Sequence, residues 1–83
     1  MEVDVIAGQA NSCLAEARLL LLGGPSEWER IRRDAGVSRQ TLADRLGVTR
    51  QSPWQWERGR SRPRGVLAER YLAELVRLSA AAL

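Results

Sequence analysis

Glycines stand at positions 23–24, 36, 47 and 59, each just past a short stretch in which apolar residues recur at helical spacing. Glycine takes the left-handed conformation that ends helices, so this punctuation cuts the chain into short helices. A first helix runs through Leu14, Ala17, Leu20 and Leu21 and stops at Gly23-Gly24. Asn11 or Ser12 is its candidate cap; an earlier start after Asp4, or a flexible arm over the first ten residues, stays open. Ser26-Glu27-Trp28-Glu29 has the S-x-x-E form of a capping box, and Trp28, Ile31 and Ala35 mark an apolar stripe ending at Gly36. Ser38 caps a third stretch with Leu42, Ala43 and Leu46 on one face before Gly47. Thr49 or Ser52 caps a fourth, through Trp56 and Glu57, closed by Gly59. After a basic connection around Pro63, residues Val66–Leu83 form a long helical run with Leu67, Tyr71, Leu75 and Leu78 near heptad spacing. Strand signals and internal repeats are missing, so the expected fold is all-α with about five helices.

Eighty-three residues make one domain at most and leave little room for a catalytic pocket beside a core. The longest apolar tract, Leu19–Leu22, is far short of the roughly 20 residues that cross a bilayer. Glu2 and Asp4 stand where a signal peptide would be basic, so a cytoplasmic protein is expected. With no histidine and only Cys13, neither a disulfide nor the usual zinc ligand sets can form, and no metal or cofactor is expected. Cys13 itself reads as a buried or half-buried small hydrophobe. Nor is there a pair of acids in a plausible cleft, which argues against an enzyme.

The net charge of +3 conceals an asymmetry: residues 1–29 hold one arginine against five acids, residues 30–64 ten arginines against three. So concentrated a basic block is the footprint of a polyanion-binding face. Inside it, the third and fourth helices are joined only by Gly47-Val48-Thr49. Leu42, Leu46, Val48 and Trp56 are apolar positions to pack the pair against the second helix, and Ala43 is small enough for close approach. That is the grammar of a helix-turn-helix, with the recognition helix within Thr49–Arg58 and its outer face left free for duplex DNA. A bare helical scaffold would leave ten arginines in thirty-five residues without a purpose.

The segment Val37–Arg50, reading VSRQTLADRLGVTR, followed by Trp56-Glu57-Arg58-Gly59-Arg60, resembles the Cro/CI-type repressor family, also called the xenobiotic-response-element family. The resemblance covers roughly Trp28–Leu78, with Ile31, Arg32 and Gly36 also at the family's spacing. It implies a lambda-repressor-like domain over 26–83, preceded by a helical extension over 1–25, with the fourth helix in the major groove. Arg50, Gln51 and Gln55 match the family's base-reading positions, and Ser52 joins them or caps the helix. Arginine forks to guanine and glutamine to adenine, which suits that role. Arg39 stands where the family holds a phosphate; Gln40, Thr49, Trp54, Arg58, Arg60, Arg62 and Arg64 are the other candidates for the DNA backbone. Arg32 and Glu57 match positions that form a partly buried ion pair between the second and fourth helices. Trp56 replaces a buried apolar residue, whereas Trp54 points about 160° away around the helix. Trp54 thus meets DNA, through a phosphate, a sugar or a thymine methyl, or packs on a local surface or a partner.

Pro53 departs from the family pattern, which has Ile or Val there. Two starts for the recognition helix follow. Ser52 caps it with Pro53 first and Gln55 completing an S-x-x-Q box, leaving Arg50 and Gln51 on the turn; or Thr49 caps it and Pro53 costs one bond of the first turn. Proteins of this kind bind palindromic operators as homodimers. The second face of the last helix (Leu72, Val76, Leu83) is the favoured dimer surface and Leu19–Leu22 the other; the alternative is that the two cover each other within a monomer. Without an effector or protease-like domain, the chain is expected to act like a stand-alone phage Cro or immunity repressor. An antitoxin whose N-terminal extension binds a toxin while the helix-turn-helix autoregulates the operon is the competing expectation.

Overall fold

A computed structural model describes the backbone of residues 2–81 and the side chains of residues 12–81. Among the described residues the fold is all-α, with five helices: α1 (Glu2–Leu21), α2 (Pro25–Asp34), α3 (Arg39–Leu46), α4 (Gln51–Glu57) and α5 (Gly65–Ala81). Among the described residues no helix is long and apolar enough to cross a membrane.

The core is built around α5. Ala68, Tyr71, Leu75 and Leu78 recur every three or four residues and are all buried, so this helix offers one continuous apolar stripe. Helices α1, α2 and α3 pack on it, and α2 and α3 also pack on α4. Ala15 and Leu19 come in from α1, Trp28 and Ile31 from α2, Leu42 and Leu46 from α3, and Trp56 from α4. Tyr71 is fully buried at the centre, edge-on to Trp28 with ring centroids 5.6 Å apart and tilted against Trp56 at 4.8 Å. Such pairs add specific geometry to the apolar burial. Tyr71, Leu75 and Leu78 are buried as expected, while Ala68 takes the core place expected of Leu67, which packs only partly against it.

The helix starts differ from the sequence expectations in informative ways. Asn11 and Ser12 lie inside α1 instead of capping it; Ser12 Oγ donates to Glu69 on α5 at 3.0 Å, which occupies the hydroxyl in a tertiary contact. The α1 face that packs inward holds Ala15 and Leu19, so Leu14, Leu20 and Leu21 are exposed, and so is Cys13. Cys13 is therefore not the buried or half-buried residue expected. Ser26 does not cap α2 either. Gly24 is the cap residue and Pro25 takes the first helical position, where a missing N–H removes no bond. At the same junction Trp28 Nε1 donates to the Leu19 carbonyl at 2.8 Å, satisfying one of the free carbonyls at the end of α1.

Of the three dimer candidates on the last helix, Leu72 is half-buried against the core, Val76 is exposed, and Leu83 lies outside the described residues. At the end of α1 Leu19 is buried, while Leu20, Leu21 and the following Leu22 are not.

Candidate nucleic-acid interface

Helix α3 begins as expected: Ser38 is extended at φ −76°, ψ 159°, and its hydroxyl oxygen accepts the Thr41 backbone N–H at 3.0 Å. It ends at Gly47, left-handed at φ 72°, where the Val48 N–H returns to the Ala43 carbonyl at 3.0 Å. Only glycine adopts that conformation without strain, and the return bond turns the chain sharply enough to start α4 beside α3. Ala43 is completely buried at this approach, where a larger side chain would separate the helices.

The entry to α4 matches neither of the two expected starts. Arg50 is the residue before the helix and is itself helical (φ −60°, ψ −19°), with no side-chain cap, so neither Thr49 nor Ser52 performs that role. Ser52 N–H bonds the Thr49 carbonyl at 3.0 Å, and the first α-type bond runs from Trp54 N–H to the Arg50 carbonyl at 3.3 Å. Pro53 is thus the third helical residue, still among the positions whose N–H has no partner within a helix, and no bond is lost. Its ring is fully buried, filling the apolar place expected of Ile or Val. Arg50 and Gln51 consequently sit on the first turn of the helix.

The inner side of α4 is fastened by charge as well as by packing. Glu57 is buried; its carboxylate accepts from Arg32 Nε at 2.7 Å, Arg32 Nη2 at 3.1 Å and Arg39 Nε at 2.9 Å. Arg32 also donates to the Val37 carbonyl at 2.9 Å. One carboxylate therefore joins α2, α3 and α4, and its hydrogen bonds hold the Arg32 guanidinium above the ordinary arginine range. The expected Arg32–Glu57 pair forms, and Arg39 is an unforeseen third member. A phosphate contact was expected of Arg39 from the resemblance; in the structure one edge of its guanidinium is committed to Glu57, and Glu29 lies 3.9 Å from Nη2. Tyr71, nearby, has a buried hydroxyl without a hydrogen-bond partner among the described residues, and burial raises its pKa, so it stays neutral.

On the outer side, Arg39, Gln40, Arg50, Gln51 and Trp54 line one open groove, together with Arg32 and Ser38. The structure brings these five candidates together from the first turns of two helices. Gln40 is steadied by Asp44, to which its Nε2 donates at 2.8 Å. Ser52 and Gln55 are half-buried, and Gln55 accepts from Ser61 Oγ at 3.4 Å. Arg58 and Arg60 are exposed and place their guanidinium carbons 5.4 and 5.1 Å from the centroid of the Trp54 ring. This pairing was missed in sequence, although Arg58 follows Trp54 at the four-residue spacing that makes helical neighbours. Thr49 is exposed but does not line the groove. Arg62 borders a different, small cavity beside Glu16, Leu19 and Trp28, and Arg64 bonds through its backbone carbonyl to Ala68 at the start of α5.

Comparisons with protein-family models, with curated proteins and with solved structures returned no match to this chain.

Proposed function

We propose that this protein is a sequence-specific regulator that binds double-stranded DNA through α3 and α4, with α4 in the major groove, in the manner of the Cro/CI-type repressors its sequence resembles. The observation that carries the reading is the outer groove. Two arginines and two glutamines from the first turns of α3 and α4 surround Trp54, and Glu57, the acid of α4, is turned inward on Arg32. Nothing acidic on α4 therefore opposes an anionic backbone. Arg50 and Gln51 stand on the first turn of a helix, the part that meets base edges in a helix-turn-helix. Arg39, Gln40 and Thr49 at one end and Arg58, Arg60, Arg62 and Arg64 at the other serve the phosphates, with Ser52 and Gln55 as further base contacts. The working unit is a homodimer on a palindromic site in the cytoplasm, because one such helix contacts too few bases to be selective, with half-sites about 34 Å apart.

Selection on randomised duplex DNA, followed by affinity measurement against salt, tests this. An enriched palindromic motif is expected, with log affinity falling against log salt at about 0.9 per phosphate neutralised, for about 4 to 6 phosphates per monomer. A slope near zero, or no enriched motif at moderate salt, overturns the reading.

The antitoxin alternative draws on one observation, the exposure of Leu14, Leu20 and Leu21 on α1. A stoichiometric complex with the product of an adjacent toxin gene, lost on replacing these leucines by serine, would favour it.

A further inference from the structure

Helix α4 carries two tryptophans with different surroundings. Trp56 is 4% exposed and packed on Tyr71. Trp54 is only half-buried and lies in the outer groove among Arg39, Gln40, Arg50 and Gln51. Its ring is not loose: the guanidinium carbons of Arg58 and Arg60 lie over it at 5.4 and 5.1 Å. Gly59, left-handed at φ 70°, turns the chain between them, and the Arg60 N–H returns to the Gln55 carbonyl at 2.9 Å. That turn brings Arg60 back to a ring one helical turn earlier. The arginines thus restrain the indole and cover ring surface that a stacked base would need.

The major groove offers hydrogen-bonding atoms from every base pair but one apolar group, the C5 methyl of thymine. The arginine and glutamine side chains of this groove match the former. The restrained indole of Trp54, the apolar side chain among the lining residues, matches the latter. We infer that Trp54 is a specificity-determining residue that recognises the C5 methyl group of a pyrimidine, and that Arg58 and Arg60 are positioning residues for its ring. This inference rests on the DNA-binding reading above. A contact from the indole N–H to a phosphate is the competing role, and it is blind to the methyl.

The test uses the duplex enriched by selection, replacing each thymine in turn by deoxyuridine, which removes only the methyl. Wild-type protein should lose about four-fold in affinity at one thymine of each half-site, the effect of leaving one methyl-sized group unburied. At that position Trp54→Ala should bind the two duplexes equally, and Trp54→Phe should keep part of the preference. The double variant Arg58→Ala/Arg60→Ala should narrow the preference in addition to weakening binding to both duplexes. Thermal denaturation of each variant separates loss of folding from loss of discrimination, and the wild-type scan needs no variant. Specific binding that is indifferent to the methyl at every position, a half-site without thymine, or a preference that survives in Trp54→Ala each overturns the inference while leaving DNA binding intact. Failure to enrich any duplex overturns both.

Discussion

The two faces of α4 are made by different physics. On the inner face Pro53, Trp56 and Glu57 are buried, and their partners come from elsewhere in the chain: Tyr71 on α5, Arg32 on α2 and Arg39 on α3. On the outer face Arg50 and Gln51 are exposed, and the contacts are local, Trp54 with Arg58 and Arg60, and Gln55 with Ser61. A helix of seven residues is too short to be stable by itself. Its inner face therefore has to secure it, and its outer face is free to be chosen for recognition. Substitutions inside should act on folding and substitutions outside on binding.

The largest expected effect lies inside. Glu57→Ala leaves Arg32, a buried arginine, without its carboxylate and releases Arg39 as well. Removing one partner of a buried pair costs about 3–5 kcal/mol, so the midpoint of chemical denaturation should fall steeply. The DNA motif selected by the remaining folded protein should be unchanged. An altered motif with unaltered stability would break the separation of the two faces.

Ser38→Ala sharpens the comparison, because Ser38 lines the outer groove yet its hydroxyl caps α3. Loss of that cap should cost about 1 kcal/mol by denaturant titration, with the base preference kept. A smaller change of opposite sign is expected at the centre. Tyr71 buries a hydroxyl that has no hydrogen-bond partner among the described residues, so Tyr71→Phe should raise stability by about 0.5–1 kcal/mol. A loss on this substitution would mean that the hydroxyl interacts with Glu57 or Arg32 through the nearby polar cluster.

Most of the architecture was legible from helix endings. Gly36, Gly47 and Gly59 each end a helix in the left-handed conformation, and Ser38 caps as its position indicates. Helix beginnings were harder to read, since Ser12, Ser26, Thr49 and Ser52 are all chemically able to cap, and both tertiary contacts and the neighbouring backbone decide among them. Ser12 is drawn to Glu69, Pro25 preempts Ser26, and a helical Arg50 carries the chain into α4 without a cap. The same limit applies at the site. Arg32 and Glu57 could be paired through the family resemblance, but Arg39's attachment to the same carboxylate depends on how α3 packs against α4, which no local pattern encodes. Arg60 likewise reaches Trp54 only through the turn at Gly59.

The smallest effect on folding is expected at Arg60, and it tests the outer face most directly. Its side chain is exposed and touches the protein through Trp54, so Arg60→Ala should leave stability within about 0.5 kcal/mol. If the side chain also neutralises a phosphate, the plot of log affinity against log salt should become shallower by about 0.9 for each monomer. Arg30→Ala is the matching control, for its guanidinium is held by Glu27 and Asp34 on the exposed side of α2, outside the groove. That substitution removes the same formal charge and should leave the slope nearly as it was, because counterion release counts phosphate contacts and not net charge. Equal slopes for the two variants would show that Arg60 acts only as part of the diffuse field of the arginine-rich segment, and the functional distinction of the outer face would then rest on Arg50, Gln51 and Trp54 alone.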